Sequence, residues 1–257
     1  MRFKLFILLL VSVVVSVMAQ EPEKTLYYST GNEATVVGTI TLKGTSPKLR
    51  IIDMTADPVC QQQNRKALPD WIITKQGALA NAFVYVKGDT LNMYRFAVPE
   101  TDVMLNQRAC YFEPHVFGLQ VGQSLQIING DPTQHNVHPT PKLNQEWNQT
   151  QAADSPPMVK TFRRAEVMIP IKCNQHPWMR AYVGVLNHPY FSVSDKTGKF
   201  EIRNLPPGTY KLVVWHEIFG EQEIDVTLVP GESRSADFTF DAAKIPEDKK
   251  WWFDREN

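Results

Sequence analysis

Val167-Met168-Ile169-Pro170-Ile171-Lys172-Cys173-Asn174-Gln175-His176-Pro177-Trp178-Met179-Arg180-Ala181-Tyr182-Val183-Gly184-Val185-Leu186 reads as two short strands around a tight loop. The runs 167–171 and 182–186 are rich in β-branched residues and too short for stable helices. Upstream, 116–119 and 124–128 repeat the pattern, and 82–86 is a further β run ended by Lys87-Gly88-Asp89. Residues 35–42 alternate apolar and polar before Lys43-Gly44-Thr45-Ser46-Pro47, which reads as a hairpin, and 139–160 reads as a long surface excursion. Downstream, 191–193, 210–215, 224–228 and 236–240 supply more strands, with Asp195-Lys196-Thr197-Gly198 as a tight hairpin turn. No segment carries a long capped 3.6 period, although 58–66 fits a short helix. With 18 prolines and 13 glycines in 257 residues, the expected fold class is all-β, in more than one small domain.

The loop offers a thiolate at Cys173, an imidazole at His176 and a thioether at Met179, and His135 follows a strand that ends at Asn129-Gly130-Asp131-Pro132. Soft sulfur ligands favour Cu(I) and imidazoles tolerate both oxidation states, so the set points to one copper ion in a redox site. Zinc is a weaker reading because a thioether serves it poorly. A dinuclear copper centre would need a second cysteine in the loop. A catalytic thiol lacks an orienting third group, so an enzyme is not expected.

Three cysteines leave one over: Cys60 can pair with Cys110 while Cys173 holds metal, the alternative being two unpaired buried thiols. Arg2 and Lys4, the apolar run from Leu5 to Val17 and the small-residue exit Val17-Met18-Ala19 read as a signal peptide over 1–19. A membrane anchor is the alternative, but the run is short for a span. The expectation is a periplasmic or secreted protein without a transmembrane anchor after cleavage. The chain holds 27 basic and 27 acidic residues, and loss of Arg2 and Lys4 leaves 25 against 27, a net charge of −2. Nucleic acid is therefore not an expected partner.

On these residues the stretch from about Val116 to Leu186 resembles the cupredoxins, and the short Cys-x-x-His-x-x-Met loop followed by Arg180 is most similar to the amicyanin type. The resemblance implies a Greek-key β-sandwich or barrel with His135, Cys173, His176 and Met179 as copper ligands. His138 matches a position that is not a ligand in that family. Asn136 would tie the two ligand loops together, and His176, flanked by Pro177 and Trp178, would expose a ring edge as the port for electrons. Pro177 has no N–H to offer the Cys173 sulfur, which lowers the expected reduction potential relative to alanine. His115, near Cys110, reads as structural rather than as a second metal ligand.

Residues 193–215, with Asp195, Gly198, Phe200 and Leu205-Pro206-Pro207-Gly208-Thr209-Tyr210, resemble the carboxypeptidase regulatory-like family, a transthyretin-type sandwich grouped with carbohydrate-binding-like folds. His216 and Glu217 read as exposed strand-end residues. The organisation expected is therefore a signal peptide at 1–19, a flexible polar leader at 20–33 and a cupredoxin-like domain with an N-terminal β extension at 34–187. A small sandwich at 188–241 and a charged tail at 242–257 follow, with Trp251 and Trp252 docked on their own domain. The expected function is one-electron transfer to and from redox protein partners through Cu(II)/Cu(I). The alternatives are a copper carrier or store, and a surface module that binds glycan or an envelope protein through the C-terminal domain.

Overall fold

The computed structural model describes residues 24–45, 48–64 and 77–253. The expected signal peptide, the turn tip at Ser46-Pro47 and the side chains of Trp251 and Trp252 lie outside the described residues. Among those described, no helix is long and apolar enough to cross a membrane. Strands dominate the described residues, with two short α-helices, Pro58–Gln63 and Asp89–Asn92, and two 3-10 turns, Ala242–Lys244 and Glu247–Trp252.

One sandwich is built from residues between 103 and 186. Its five-stranded sheet orders Gln149–Gln151, His135–Pro139, Glu166–Lys172, Arg180–Leu186 and Val116–Gln120, the last two strands parallel. Its four-stranded sheet orders Met158–Lys160, Leu125–Asn129, Val103–Arg108 and Tyr111–Glu113. Leu105, Leu119, Leu125, Ile127, Val137, Ile169, Ile171, Val183 and Val185 fill the space between them, as period-two alternation dictates. The stretch 139–160 is not a bare excursion, because it contributes an edge strand to each sheet through Gln149–Gln151 and Met158–Lys160.

The second sandwich corrects the expected boundaries. The strand Ala34–Lys43 forms no hairpin. It lies between Lys199–Leu205, antiparallel to it, and Ser233–Ser235 and Phe238–Asp241, both parallel. Phe83–Lys87 pairs with Phe191–Val193 and Gly208–His216, which in turn pairs with Gly220–Leu228. Residues 34–43 and 83–87 thus belong to the C-terminal sandwich, not to the 103–186 sandwich as an extension. The reason is apolar matching: the inner faces carrying Phe200, Ile202, Leu212, Val214, Phe238 and Phe240 are covered by Val36, Ile40, Val84 and Val86. The turn at 195–198 carries the chain from one sheet to the other, because the strands on either side of it pair with different partners. The first sandwich is therefore inserted between the strands Phe83–Lys87 and Phe191–Val193 of the second, its host.

Residues 24–33 are not a free leader. Thr25–Leu26 pairs with Tyr94–Arg95, and the Glu33 carboxylate accepts hydrogen bonds from Tyr27 Oη (2.7 Å) and from the N–H groups of Thr30 and Gly31 (2.6 and 3.0 Å). At the other end Phe253 is buried in the host core, so the charged tail is anchored there.

A third apolar cluster joins the two sandwiches. Phe83, Tyr85, Val213 and Trp215 from the outer face of a host sheet meet Val116, Tyr182 and Leu186 from the outer face of the five-stranded sheet. This explains why Phe83-Val84-Tyr85-Val86 is continuously apolar: both faces of its strand are covered. Gly118 and Gly184 make the approach possible, since a Cβ at either would lie 2.3 Å from the ring of Phe191 or Phe83 respectively. A bulge between Glu166 and Ile169, with Met168 at φ 59°, breaks the alternation so that Val167 and Met168 both reach this interface.

Candidate metal centre

The candidate site lies at one end of the inserted sandwich, where two strands deliver their ends side by side. His135 opens the strand His135–Pro139, and Cys173 follows Glu166–Lys172, the strand paired with it. The loop from Cys173 is closed on itself by Cys173 N–H donating to Met179 O (3.1 Å) and Met179 N–H donating to His176 O (2.9 Å). It buries alternate functions: Cys173, His176, Trp178 and Met179 point inward, while Asn174, Gln175 and Pro177 are exposed.

The structure brings His135, Cys173 and His176 together, with one donor atom from each inside a span of 4.8 Å. The two Nδ1 atoms are 2.9 Å apart, and Cys173 Sγ is 3.6 Å from His176 Nδ1. With metal bonds of about 2.0 Å to nitrogen and about 2.3 Å to sulfur, such separations suit three ligands of a single ion. Met179, at the far end of the closed loop, has no exposed surface. His138 turns away, its ring nitrogens facing Asn174 Oδ1 and Glu146 Oε1.

Each of the two imidazoles is held from behind by a carboxylate that the sequence analysis did not single out. His135 Nε2 faces Asp131 Oδ2 at 2.8 Å, and His176 Nε2 faces Asp57 Oδ2 at 3.0 Å. An acceptor at Nε2 calls for the Nε2–H tautomer, which leaves the Nδ1 lone pair for metal. Asp57 also caps the helix Pro58–Gln63 by accepting from the N–H groups of Val59 and Cys60. Both carboxylates flank the Cys60–Cys110 disulfide, whose sulfurs lie near the site but are bonded to each other.

Electrostatics follow from these contacts. Burial pushes the Cys173 thiol up, but hydrogen bonds from His135 and His176 outweigh it and bring it down to about 6. Burial pulls the His135 imidazole down, but Asp131 and the Cys173 sulfur raise it to about 9. His176 moves in the same direction, lowered by burial but raised further by Cys173 and Asp57. Near neutrality this favours a thiolate beside a protonated His135, so a metal binding the triad would displace the His135 Nδ1 proton. Asn136 links the pieces: its N–H points at Cys173 Sγ (3.5 Å), its Oδ1 accepts from Asn174 N–H (2.7 Å), and its Nδ2 donates to Asn148 Oδ1 (2.6 Å).

The expected electron port is corrected. His176 is only 4% exposed and Trp178 8%, because Asp57 and Cys60 cover the imidazole edge that would otherwise meet solvent. Trp178 packs beside His176 with ring centroids 5.2 Å apart, and its Nε1–H donates to Cys110 O (3.2 Å). The reading of His216 and Glu217 as exposed strand-end residues is corrected, since both are buried. His115, read as structural, bridges the two sandwiches, Nε2 to Glu217 Oε1 (2.6 Å) and Nδ1 to Arg180 O (3.0 Å). The signals that could have revealed the carboxylates are local ones: Asp57 precedes Pro58 and Cys60 as a helix cap, and Asp131 stands four residues before His135.

The carboxypeptidase regulatory-like domain family matches residues 174–241. Among solved structures, amicyanin from Paracoccus versutus is 20% identical over 40% of this chain and 96% of its own, with a TM-score of 0.30. A purple cupredoxin from Nitrosopumilus maritimus is 19% identical over 33% of this chain and 99% of its own, with a TM-score of 0.28. A copper-containing nitrite reductase from Thermus scotoductus is 17% identical over 35% of this chain, with a TM-score of 0.31, and only 23% of its length is spanned. No curated protein matches the chain.

Proposed function

We propose that the chain is an exported mononuclear copper protein that carries single electrons. The observation that supports this best is the buried triad of His135 Nδ1, Cys173 Sγ and His176 Nδ1, with both imidazoles backed by carboxylates and the thiol shifted towards thiolate. His135, Cys173 and His176 would hold the ion, with Met179 as a weak fourth ligand. When bound, copper supplies one-electron exchange between Cu(II) and Cu(I).

The chain's own residues keep the donor set fixed. The loop is pinned by its Cys173–Met179 backbone bond, Asn136 joins it to the neighbouring strand, and the disulfide-bearing segment excludes water from His176. Fixed, water-excluded ligands suit a carrier that must change oxidation state with little rearrangement, whereas a copper store needs an open site with exchangeable metal. The test is the visible spectrum of the protein after addition of Cu(II), beside Cys173→Ser. An intense thiolate-to-copper charge-transfer band, absent from Cys173→Ser, is the expected result. A colourless wild type would sink the reading, and metal that passes within seconds to a chelator would favour a copper carrier.

A further inference from the structure

The contacts behind the imidazoles form a repeated unit. Asp131 accepts from Ala109 N–H (2.7 Å) and Cys110 N–H (2.8 Å) while its Oδ2 faces His135 Nε2 (2.8 Å). Asp57 accepts from Val59 N–H (2.8 Å) and Cys60 N–H (3.2 Å) while its Oδ2 faces His176 Nε2 (3.0 Å). Each carboxylate is thus fixed by the backbone of one half of the Cys60–Cys110 disulfide and presents an oxygen to one imidazole. Thr133 couples the halves, its hydroxyl donating to Asp57 Oδ2 (3.0 Å) two residues before His135.

We propose that Asp57 and Asp131 are a matched pair of positioning residues, set by the Cys60–Cys110 bridge, that fix His176 and His135 with Nδ1 as the metal-facing atom. The inference rests on the copper reading above. Its physical content is twofold. A carboxylate at Nε2 selects the tautomer, locks the ring plane and makes the imidazole a stronger donor. Two anionic groups behind the ligands also favour the more highly charged oxidised metal, so they lower the reduction potential. Asp57 matters most for His176, because it occupies the place that solvent would take at an open ring edge.

The experiment uses the full chain with copper ions alone. In the Cu(I)-loaded wild type, long-range ¹H–¹⁵N spectra should show Nε2–H on both imidazoles, protected from exchange with water. Asp57→Asn and Asp131→Asn should each weaken copper binding by about 10- to 100-fold and raise the reduction potential. Their metal-free melting temperatures separate this effect from simple loss of fold. A freely exchanging or absent His176 Nε2–H would overturn the inference without requiring any variant to fold. So would copper affinity and potential unchanged in both variants. A wild type that takes up no copper would overturn the underlying reading as well, which distinguishes the two failures.

Discussion

The two sandwiches are of similar architecture and differ in what they bury. The host keeps an apolar interior of Val36, Ile40, Leu212, Val214, Phe238 and Phe240, and its buried polar side chains, Ser194, His216 and Glu217, sit at turns and at the interface. The inserted sandwich buries Gln107, Asn129, Asp131, His135, Asn136, Gln151 and His176. Burying such groups costs free energy unless they are hydrogen-bonded, and each of them is, although Gln107 Oε1 has no partner. Gln107 Nε2 donates to Gln151 Oε1 (2.6 Å), Asn129 Nδ2 donates to Gln151 O (3.0 Å), and the two aspartates hold the two imidazoles. In the inserted sandwich the polar interior instead runs up to the candidate metal centre, Asn129 Oδ1 accepting from Asp131 N–H (3.0 Å) and Asp131 facing His135.

The contrast can be broken most forcefully at the seam. Phe83→Ala removes a ring that lies over Gly184 and stacks on Phe191 with centroids 5.6 Å apart. A loss of about 3–5 kcal/mol is expected. Calorimetry should then resolve two transitions where the wild type gives one, with the copper spectrum unaltered. A lost spectrum would mean that the seam also shapes the site.

A smaller effect is expected at the polar link across the same seam. Burial pushes the Glu217 carboxyl up, the His115 ring pulls it down by charge and hydrogen bond, and the net direction is down. A depressed folded-state value means that the contact stabilises fully above the ordinary carboxylate value of about 4.3, and that this contribution is lost as pH falls through the lower folded value. Glu217→Gln should cost about 1.5–3 kcal/mol at neutral pH. The gap from wild type should narrow in thermal melts taken below the ordinary carboxylate value. A constant gap from neutral pH to pH about 3 would show that the pair is not held by charge.

The smallest effect is expected at His138, one strand position away from the ligand network. His138→Ala should leave copper affinity and spectrum unchanged and move stability by no more than about 0.5 kcal/mol, because its partners, Asn174 and Glu146, are exposed. A shifted spectrum would place it in the site after all.

How much of this was legible in the sequence depends on distance along the chain. The Cys173 loop could be read because its donors are contiguous and its flanking strands alternate. Asp57 could not be read as a partner of His176, because a helix cap at an Asp-Pro step has a sufficient local explanation and the contact spans the disulfide. The strands 34–43 and 83–87 were visible as strands, but alternation fixes which side chains face a core and does not say which core. That choice was made by apolar faces more than a hundred residues away. His216 and Glu217 were misjudged for a related reason: Phe219 and Phe240 of the host cover His216, and His115 of the other sandwich covers Glu217.

Phe83–Lys87 and Phe191–Val193 lie side by side, so the host sheet grips both ends of the inserted segment. In polymer terms the host is a ring closure. It removes from the unfolded insert every conformation in which those ends drift apart, as a cross-link over roughly 100 residues would, an effect of about 4–5 kcal/mol on chain-entropy grounds. None of the host strands carries a cysteine, so this staple is held by strand pairing and packing and opens when the host itself unfolds.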